Sequence, residues 1–231
     1  MQLHLHPIFF ALMMANGPSE CHDAFVIFVG ISFKGDNGRD LLHFAAKLQR
    51  NVRELPKAVL APHDDGACSH LVAMKLPSLA LASTSGRMVD LATLSGITVV
   101  YIYLRTGRPD QELPKDWDAI LGACGCTPQS RAFRDHHQEL KALVVASLFG
   151  LSTQDSSSQQ EAAERLHLPF ELLSDKTLAF ARALRLLTLV VDGMTLLRRV
   201  TLIMLGCTIE KVFYPVFPPK RNVEDVIEWL K

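Results

Sequence analysis

The sequence predicts an α/β fold in which helices flank a mixed sheet on both faces. Three observations support it. Residues 97–103 form a β-branched and aromatic run, strand and helix patterns alternate after it, and glycines separate closely spaced apolar runs near the C-terminus. Strands linked by helices favour parallel pairing, whereas closely spaced strands favour an antiparallel hairpin. A mixed sheet covered on both sides is therefore the simplest architecture.

The elements follow in order from the first strand at 97–103, whose composition is typical of a buried strand. A loop at 105–122 leads to a helix at 126–141, and a second buried strand occupies 143–148. The remaining predictions are helices at 159–167 and 176–184, strands at 186–191, 196–205 and 208–216, and a C-terminal helix at 222–230. Gly193 and Gly206 mark turns, and Asn222 is expected to cap the last helix.

The predicted domains are an N-terminal extension at 1–60 and a folded domain at 61–231. A length of 231 residues and a hydrophobic content of 48% suit one domain with an accessory segment, or at most two small domains. An apolar stretch at 7–15 resembles the core of a short signal peptide but lacks preceding positive charge, so a disordered or loosely packed N-terminus is expected. Residues 56–85 are interpreted as a connector.

Charge and cysteine content narrow the choice of partner and compartment. Lysine plus arginine equals aspartate plus glutamate at 24 each, and no basic stripe is interleaved with aromatic residues, so a nucleic-acid partner is not expected. No apolar run reaches the roughly 18 residues that suggest a membrane span. Five scattered cysteines do not form a disulfide framework, which favours a reducing compartment. The expected location is cytoplasmic.

The most informative residue is Cys126, which opens the helix that follows the first strand and its loop. Unpaired backbone N–H groups and the positive end of the helix dipole stabilise a thiolate there, and the thiolate is the nucleophilic form. Thr127 is expected to cap the helix, with its hydroxyl placed to contact a substrate, and Pro128 to be the first helical residue. The alternative is a buried, inert cysteine.

A strand, a loop and a helix opening Gly-Cys-Thr, followed by Phe133-Arg134-Asp135, resemble the peroxiredoxins. The group most similar is the Q-type, or bacterioferritin-comigratory, branch. The other stretches that carry the resemblance are 76–81, 101–103, 150–154, 168–175, 199–203 and 209–216. The resemblance covers about residues 62–231.

The resemblance implies a thioredoxin-like fold and reduction of hydroperoxides without a cofactor. Cys126 falls at the position of the peroxidatic cysteine, and Arg199 at that of an arginine that holds the thiolate and polarises the peroxide. The thiolate would become a sulfenic acid, which a second thiol attacks, and an external reductant such as a thioredoxin-like protein would restore the thiol.

Four positions depart from the family pattern. Leu104 stands where proline is usual, Ala123 where threonine or serine orients the peroxide, and Leu121 where this branch tends to have proline. Arg131 stands where many relatives have a resolving cysteine. Because a loosened supporting shell lowers rates steeply, a weak or inactive protein is a second expectation.

Several assignments stay open from the sequence alone. Arg198 and Arg199 face opposite sides of a strand, so only one of them can point at Cys126. The resolving thiol could be Cys124, another cysteine of the chain (Cys68 or Cys207), or an external thiol. A general thiol–disulfide oxidoreductase is a third function, although Cys-x-x-Cys spacing is absent.

Two groups of residues suggest a metal site, but neither has the spacing of a structural zinc site. One comprises Cys124, Cys126, His136 and His137, and the other His63, Asp64, Asp65, Cys68 and His70. No metal site is predicted.

Overall fold

A computed structural model describes residues 62–114, 117, 120 and 122–231 of the chain. The strands are β1 (Ala80–Ser83), β2 (Met88–Asp90), β3 (Ile97–Ile102), β4 (Val145–Ser152), β5 (Glu171–Ser174), β6 (Thr188–Val191), β7 (Met194–Leu197), β8 (Val200–Leu205) and β9 (Thr208–Phe213). The helices are α1 (Cys126–Asp135), α2 (His137–Ala142), α3 (Ser156–Arg165), α4 (Ala179–Leu184) and α5 (Asn222–Leu230). The predicted extension at 1–60 lies outside the described residues.

Seven of these strands form one mixed sheet in the order β2-β1-β5-β4-β3-β8-β9. The pairs β3–β4 and β4–β5 are parallel, and the other neighbours are antiparallel. Strands β6 and β7 pair as a separate antiparallel hairpin. The predicted mixed, thioredoxin-like sheet is confirmed, because the parallel pairs are joined through helices and the late strands through tight turns.

A hydrophobic cluster covers each face of the sheet, because side chains of the central strand alternate between the two. Val99 and Tyr101 of β3 pack with Phe133 of α1, whereas Val100 and Ile102 pack into the opposite cluster. Helices α1, α2, α3 and α5 contribute to the first cluster, which we call the site-face cluster, and α4 contributes to the second. Within the described part of the chain, no helix is long and apolar enough to cross a membrane.

Several predicted boundaries were wrong for identifiable reasons. The helix expected at 126–141 is interrupted at His136, which leaves the helical region with ψ near 9°. The strand expected at 196–205 is two strands, because β7 pairs with β6 whereas β8 pairs with β3. Strands β1 and β5 lack the β-branched residues that mark a strand in a sequence, and the interpretation of 56–85 as a connector missed β1.

Candidate active site at the start of the first helix

Helix α1 begins immediately after a glycine that no other residue could replace without strain. Gly125 precedes the helix with φ of +99°, and a Cβ there would lie 2.6 Å from Cγ of Pro219. The next residue is therefore the start of the helix, and its side chain is Cys126. Tyr101 of β3 lies beneath the helix, donates a hydrogen bond to Ser130 at 3.1 Å and stacks on Phe133 at 4.6 Å between ring centroids.

The Cys126 thiol is 3% exposed, and its sulfur has a cation as its closest polar neighbour. Nη2 of Arg199 lies 3.0 Å from Sγ, while the carbonyl oxygen of Ala123 lies 3.7 Å away. A charge-assisted hydrogen bond and the N-terminus of a ten-residue helix both stabilise negative charge on this sulfur. The arrangement favours a thiolate.

Arg199 is itself held by three acceptors other than the sulfur. It is 5% exposed and donates to Oε1 of Gln129 at 2.9 Å, to the Gly122 carbonyl at 3.0 Å and to the Cys124 carbonyl at 3.2 Å. A guanidinium has five N–H donors in a rigid fork, so these contacts fix its plane as well as its position. Arg198 is exposed, and both arginines lie in the connection between β7 and β8 rather than within the single strand that was predicted.

The Gln129 side chain that holds Arg199 belongs to a buried network of hydrogen bonds that converges on Asn222. Because a guanidinium can only donate, Oε1 of Gln129 must face Arg199 and its Nε2 must point away. That Nε2 donates to Oδ1 of Asn222 at 3.0 Å, and the hydroxyl of Thr201 donates to the same oxygen at 2.6 Å. All three side chains are at most 1% exposed. The Gln129 amide is therefore oriented by Arg199 on one side and by Asn222, the first residue of α5, on the other.

A narrow cleft of about 60 Å³ gives access to Cys126. Its lining residues are Arg105, Gly107, Leu113, Trp117, Ala123, Cys124, Gly125, Cys126, Thr127 and Pro128. A water molecule occupies about 30 Å³ in the liquid, so the cleft has room for about two water-sized groups. A wider hollow of about 630 Å³ lies elsewhere, beside β5 and α3, and no cysteine lines it.

Two tyrosines below the site keep neutral hydroxyl groups. The pKa values of Tyr101 and Tyr103 are raised well above neutral pH, and burial is the largest cause of the shift for both. Neither hydroxyl therefore adds a negative charge that would oppose a thiolate at Cys126. The tyrosines serve as a packed floor under α1.

The remaining described cysteines do not share this environment. Cys68 belongs to the cluster on the opposite face of the sheet, and burial, followed by Asp65, raises its pKa to about 11. Cys207 is exposed and lies beyond the end of β8 that is opposite to Arg199. Because β8 has six residues and a strand rises about 3.3 Å per residue, the two ends are roughly 20 Å apart. Cys124 is disulfide-bonded in this structure.

The structure brings together two of the three predicted site residues in direct contact, Cys126 and Arg199, and places the third, Thr127, in the wall of the same cleft. The prediction that Thr127 caps the helix was wrong. Gly125 is the N-cap and the helix starts at Cys126, two residues earlier than a cap at Thr127 would allow, so Thr127 and Pro128 are already helical.

The predicted cap at Asn222 was also wrong, because this side chain turns inward to Gln129 while Arg221 occupies the cap position. Sequence reasoning missed the roles of Gln129 and Thr201 in the site. Two spacings could have indicated them. Gln129 lies three residues after Cys126 on the same helix face, and Thr201 lies two residues after Arg199, which immediately precedes β8.

The positions that depart from the family pattern are buried where the structure describes them. Leu104 and Ala123 are each 1% exposed within the site-face cluster, and Arg131 is half-buried on α1. Leu121 lies outside the described residues. Among the described histidines, cysteines and carboxylates, no group of three is arranged to hold a metal ion.

Comparison with known proteins identifies the family to which this geometry corresponds. The family model described as Redoxin matches residues 71–227. Peroxiredoxin Q from Oryza sativa subsp. japonica, named as chloroplastic, is 36% identical over 101 residues, which are 43% of this chain and 39% of that protein. The chloroplastic peroxiredoxin Q of Gentiana triflora is 28% identical over 157 residues, or 67% of this chain and 64% of that protein.

Solved structures show the same fold. The crystal structure of peroxidoxin BcpB from Mycobacterium tuberculosis superposes with a TM-score of 0.56 at 20% identity, covering 69% of this chain and 95% of that one. The chain thus spans about two fifths of the length of the rice relative but nearly the whole of the mycobacterial structure.

Proposed function

Because the chain belongs to the redoxin family, and its curated relatives there are peroxiredoxins of the Q type, we propose that it is a thiol-dependent peroxidase that reduces hydrogen peroxide or organic hydroperoxides. The observation that carries the proposal is the 3.0 Å contact between Nη2 of Arg199 and Sγ of Cys126 at the start of α1. A cysteine kept only for packing has no need of a buried cation directed at its sulfur.

The proposed reaction is a nucleophilic displacement at oxygen. The Cys126 thiolate attacks the outer peroxide oxygen, an S–O bond forms, the O–O bond breaks, and the departing alkoxide or hydroxide takes a proton from water. Sulfur is oxidised by two electrons to sulfenic acid, and the peroxide is reduced to an alcohol or water. Arg199 and the first backbone N–H groups of α1 face the charge that moves from sulfur onto oxygen. Thr127 lines the cleft, and its hydroxyl contacts the peroxide.

Regeneration needs two reducing equivalents from outside the described domain. One thiol attacks the sulfenic acid, releasing water and leaving a mixed disulfide, and a second thiol releases Cys126 from it. Cys68 and Cys207 are too far from the site in this fold to be the first of these thiols, and Cys124 is held in a disulfide. We therefore assign the role to an external thiol reductant, for example a thioredoxin-like protein, with no cofactor.

The alternative of a degraded, non-catalytic redoxin rests on Leu104, Leu121, Ala123 and Arg131. No described contact favours it. Ala123 lacks the hydroxyl of the family pattern, yet its carbonyl oxygen and its methyl group still border the sulfur and the cleft. We expect these departures to lower the rate rather than to abolish the chemistry, because the thiol and the guanidinium remain in contact.

The protein must lie in a compartment that supplies reducing thiols, because the Cys126 thiol has to be regenerated after each reaction. A cytoplasmic location remains our proposal, based on the few and scattered cysteines. The names of the plant relatives place those proteins in the chloroplast, another compartment that would have to supply reducing thiols. Fluorescent fusions of the full chain distinguish the two locations.

The direct test of the proposed function is consumption of hydrogen peroxide by the purified full chain with a dithiol as reductant. We expect turnover that Cys126→Ser abolishes and that Cys207→Ser, an exposed thiol at the opposite end of β8, leaves unchanged. Consumption that survives in Cys126→Ser, or that is absent from the folded native chain, contradicts the proposal.

A further inference from the structure

The cleft that leads to Cys126 contains a second cation whose hydrogen-bonding capacity is almost unused. Arg105 follows β3 and lines the same cleft as the thiol. Its Nη1 lies 3.5 Å from Sδ of Met194, a thioether that accepts hydrogen bonds only weakly. Its buried Nε has no hydrogen-bond partner in the structure, and no described carboxylate forms an ion pair with it. A buried donor without a partner is energetically unfavourable.

The neighbouring arginines, unlike Arg105, have oxygen acceptors or carboxylates as partners. Arg199 is surrounded by acceptors, as described above. Arg165 reaches the same loop, donating to the Gly107 carbonyl at 2.9 Å, and pairs with Glu161 at 2.7 Å. Arg108 pairs with Asp110 at 3.0 Å. Among the arginines around the loop after β3, Arg105 is thus the one left to meet an anion that enters from outside.

The size of the cleft indicates which part of a substrate enters it. A volume of about 60 Å³ accommodates two water-sized groups, so an –O–O–H group fits within it. We expect the rest of an organic peroxide to pack against the apolar side chains of Leu113, Trp117 and Pro128, which line the same cleft. Arg105 lines the same cleft and places a positive charge beside that tail.

We propose that Arg105 binds the carboxylate of an anionic organic hydroperoxide whose –OOH group lies in the cleft at Cys126. The inference rests on the proposed peroxidase function and names its preferred substrate class. Arg105 takes no part in the bond changes, which are those given above. It positions the tail through a charge-assisted, fork-shaped contact of the kind that arginine makes with carboxylates. The carboxylate in turn accepts hydrogen bonds from the part of the Arg105 guanidinium that lines the cleft.

The test compares two hydroperoxides that differ in charge and by a single methyl group: one that carries a benzoate carboxylate, and its methyl ester. The second-order rate constant of Cys126 oxidation is measured for each by stopped-flow fluorescence in the full chain. We expect the acid to react about tenfold faster than the ester at low salt, the equivalent of about 1.4 kcal/mol. The ratio should fall as ionic strength rises.

The matched variants are Arg105→Gln, Arg105→Lys and Arg108→Gln. We expect the acid-to-ester ratio to fall to about one in Arg105→Gln, to be partly retained in Arg105→Lys, and to be unchanged in Arg108→Gln. An equal rate for acid and ester in the native chain, or a ratio that survives in Arg105→Gln, overturns the inference while leaving peroxide reduction in place. If hydrogen peroxide also fails to oxidise Cys126 in the folded chain, the proposed function itself fails.

Discussion

Replacement of Arg199 tests the electrostatic basis of the site, and Arg199→Ala and Arg199→Lys separate its two contributions. The alanine variant removes both the positive charge and all the hydrogen bonds that the guanidinium donates. The lysine variant keeps a charge but cannot hold the Gln129 amide and two backbone carbonyls at the same time. Arg198→Ala is the matched control, since that side chain is the exposed neighbour.

The expected magnitude follows from the contact with sulfur. A hydrogen bond that involves a charged group contributes about 1.5–3 kcal/mol, and each 1.36 kcal/mol corresponds to a tenfold change in rate. Loss of the 3.0 Å contact should therefore slow oxidation of Cys126 by about 10- to 150-fold in Arg199→Ala. The decrease should be smaller in Arg199→Lys. Arg199→Ala also leaves three acceptors without a donor, which we expect to lower the free energy of unfolding by about 2–4 kcal/mol.

Trp117 provides a built-in reporter for the assay because it lines the same cleft as Cys126. The other tryptophan, Trp229, is 44% exposed and can be replaced by phenylalanine to isolate the signal. The fluorescence change after mixing with hydrogen peroxide gives the second-order rate constant, and circular dichroism checks that each variant is folded. Folded Arg199→Ala that reacts as fast as Arg198→Ala would refute the assignment of Arg199.

Three further predictions concern groups around the site. Thr201→Val should lower the free energy of unfolding by about 1 kcal/mol and slow Cys126 oxidation less than Arg199→Ala does, because the Thr201 hydroxyl acts through Asn222. Thr201→Ser, which keeps the hydroxyl, should restore both values. A Thr201→Val variant with the unfolding free energy and oxidation rate of the native chain would contradict this prediction. Cys68, with its pKa raised to about 11 by burial, should be about one part in 10⁴ thiolate at pH 7, so iodoacetamide should label it only after unfolding, whereas exposed Cys207 reacts at once. Burial lowers the pKa of His137, so below about pH 6.5 the unfolded chain binds the proton more readily than the folded chain, and the free energy of unfolding decreases as the pH is lowered. The urea midpoint of His137→Gln should therefore depend less on pH than that of the native chain. Identical pH profiles for the two proteins would exclude the effect.

The sequence correctly predicted the elements whose secondary structure is determined by local residue types. The β-branched run of β3 predicts a buried strand, and the structure pairs that strand on both sides. A cysteine before Thr-Pro predicts a helix start. The turn needed the positive φ of Gly125, which set the first helical residue two positions earlier than the cap chemistry of Thr127 indicated. Alternation along a strand limited the site arginine to Arg198 or Arg199, and burial selects the second.

Side chains whose partners come from distant segments could not be predicted in the same way. Asn222 has the residue type of a helix cap, and local chemistry alone favours that role. Its actual partner, Gln129, lies 93 residues earlier and depends on how α5 packs against α1. The direction of the Gln129 amide is set by a guanidinium from a third segment. Strands β1 and β5 likewise depend on each other for pairing, since β1 contains no β-branched residue.

The most direct test of the central claim, that the sulfur at the start of α1 is an ionised nucleophile beside Arg199, is mass spectrometry of the full chain after a brief pulse of hydroperoxide with a sulfenic-acid trapping reagent. The account predicts the adduct on Cys126, with Cys68 unmodified, and its disappearance in Cys126→Ser. An unmodified Cys126 in folded protein, or an adduct located on a different cysteine, would contradict the account.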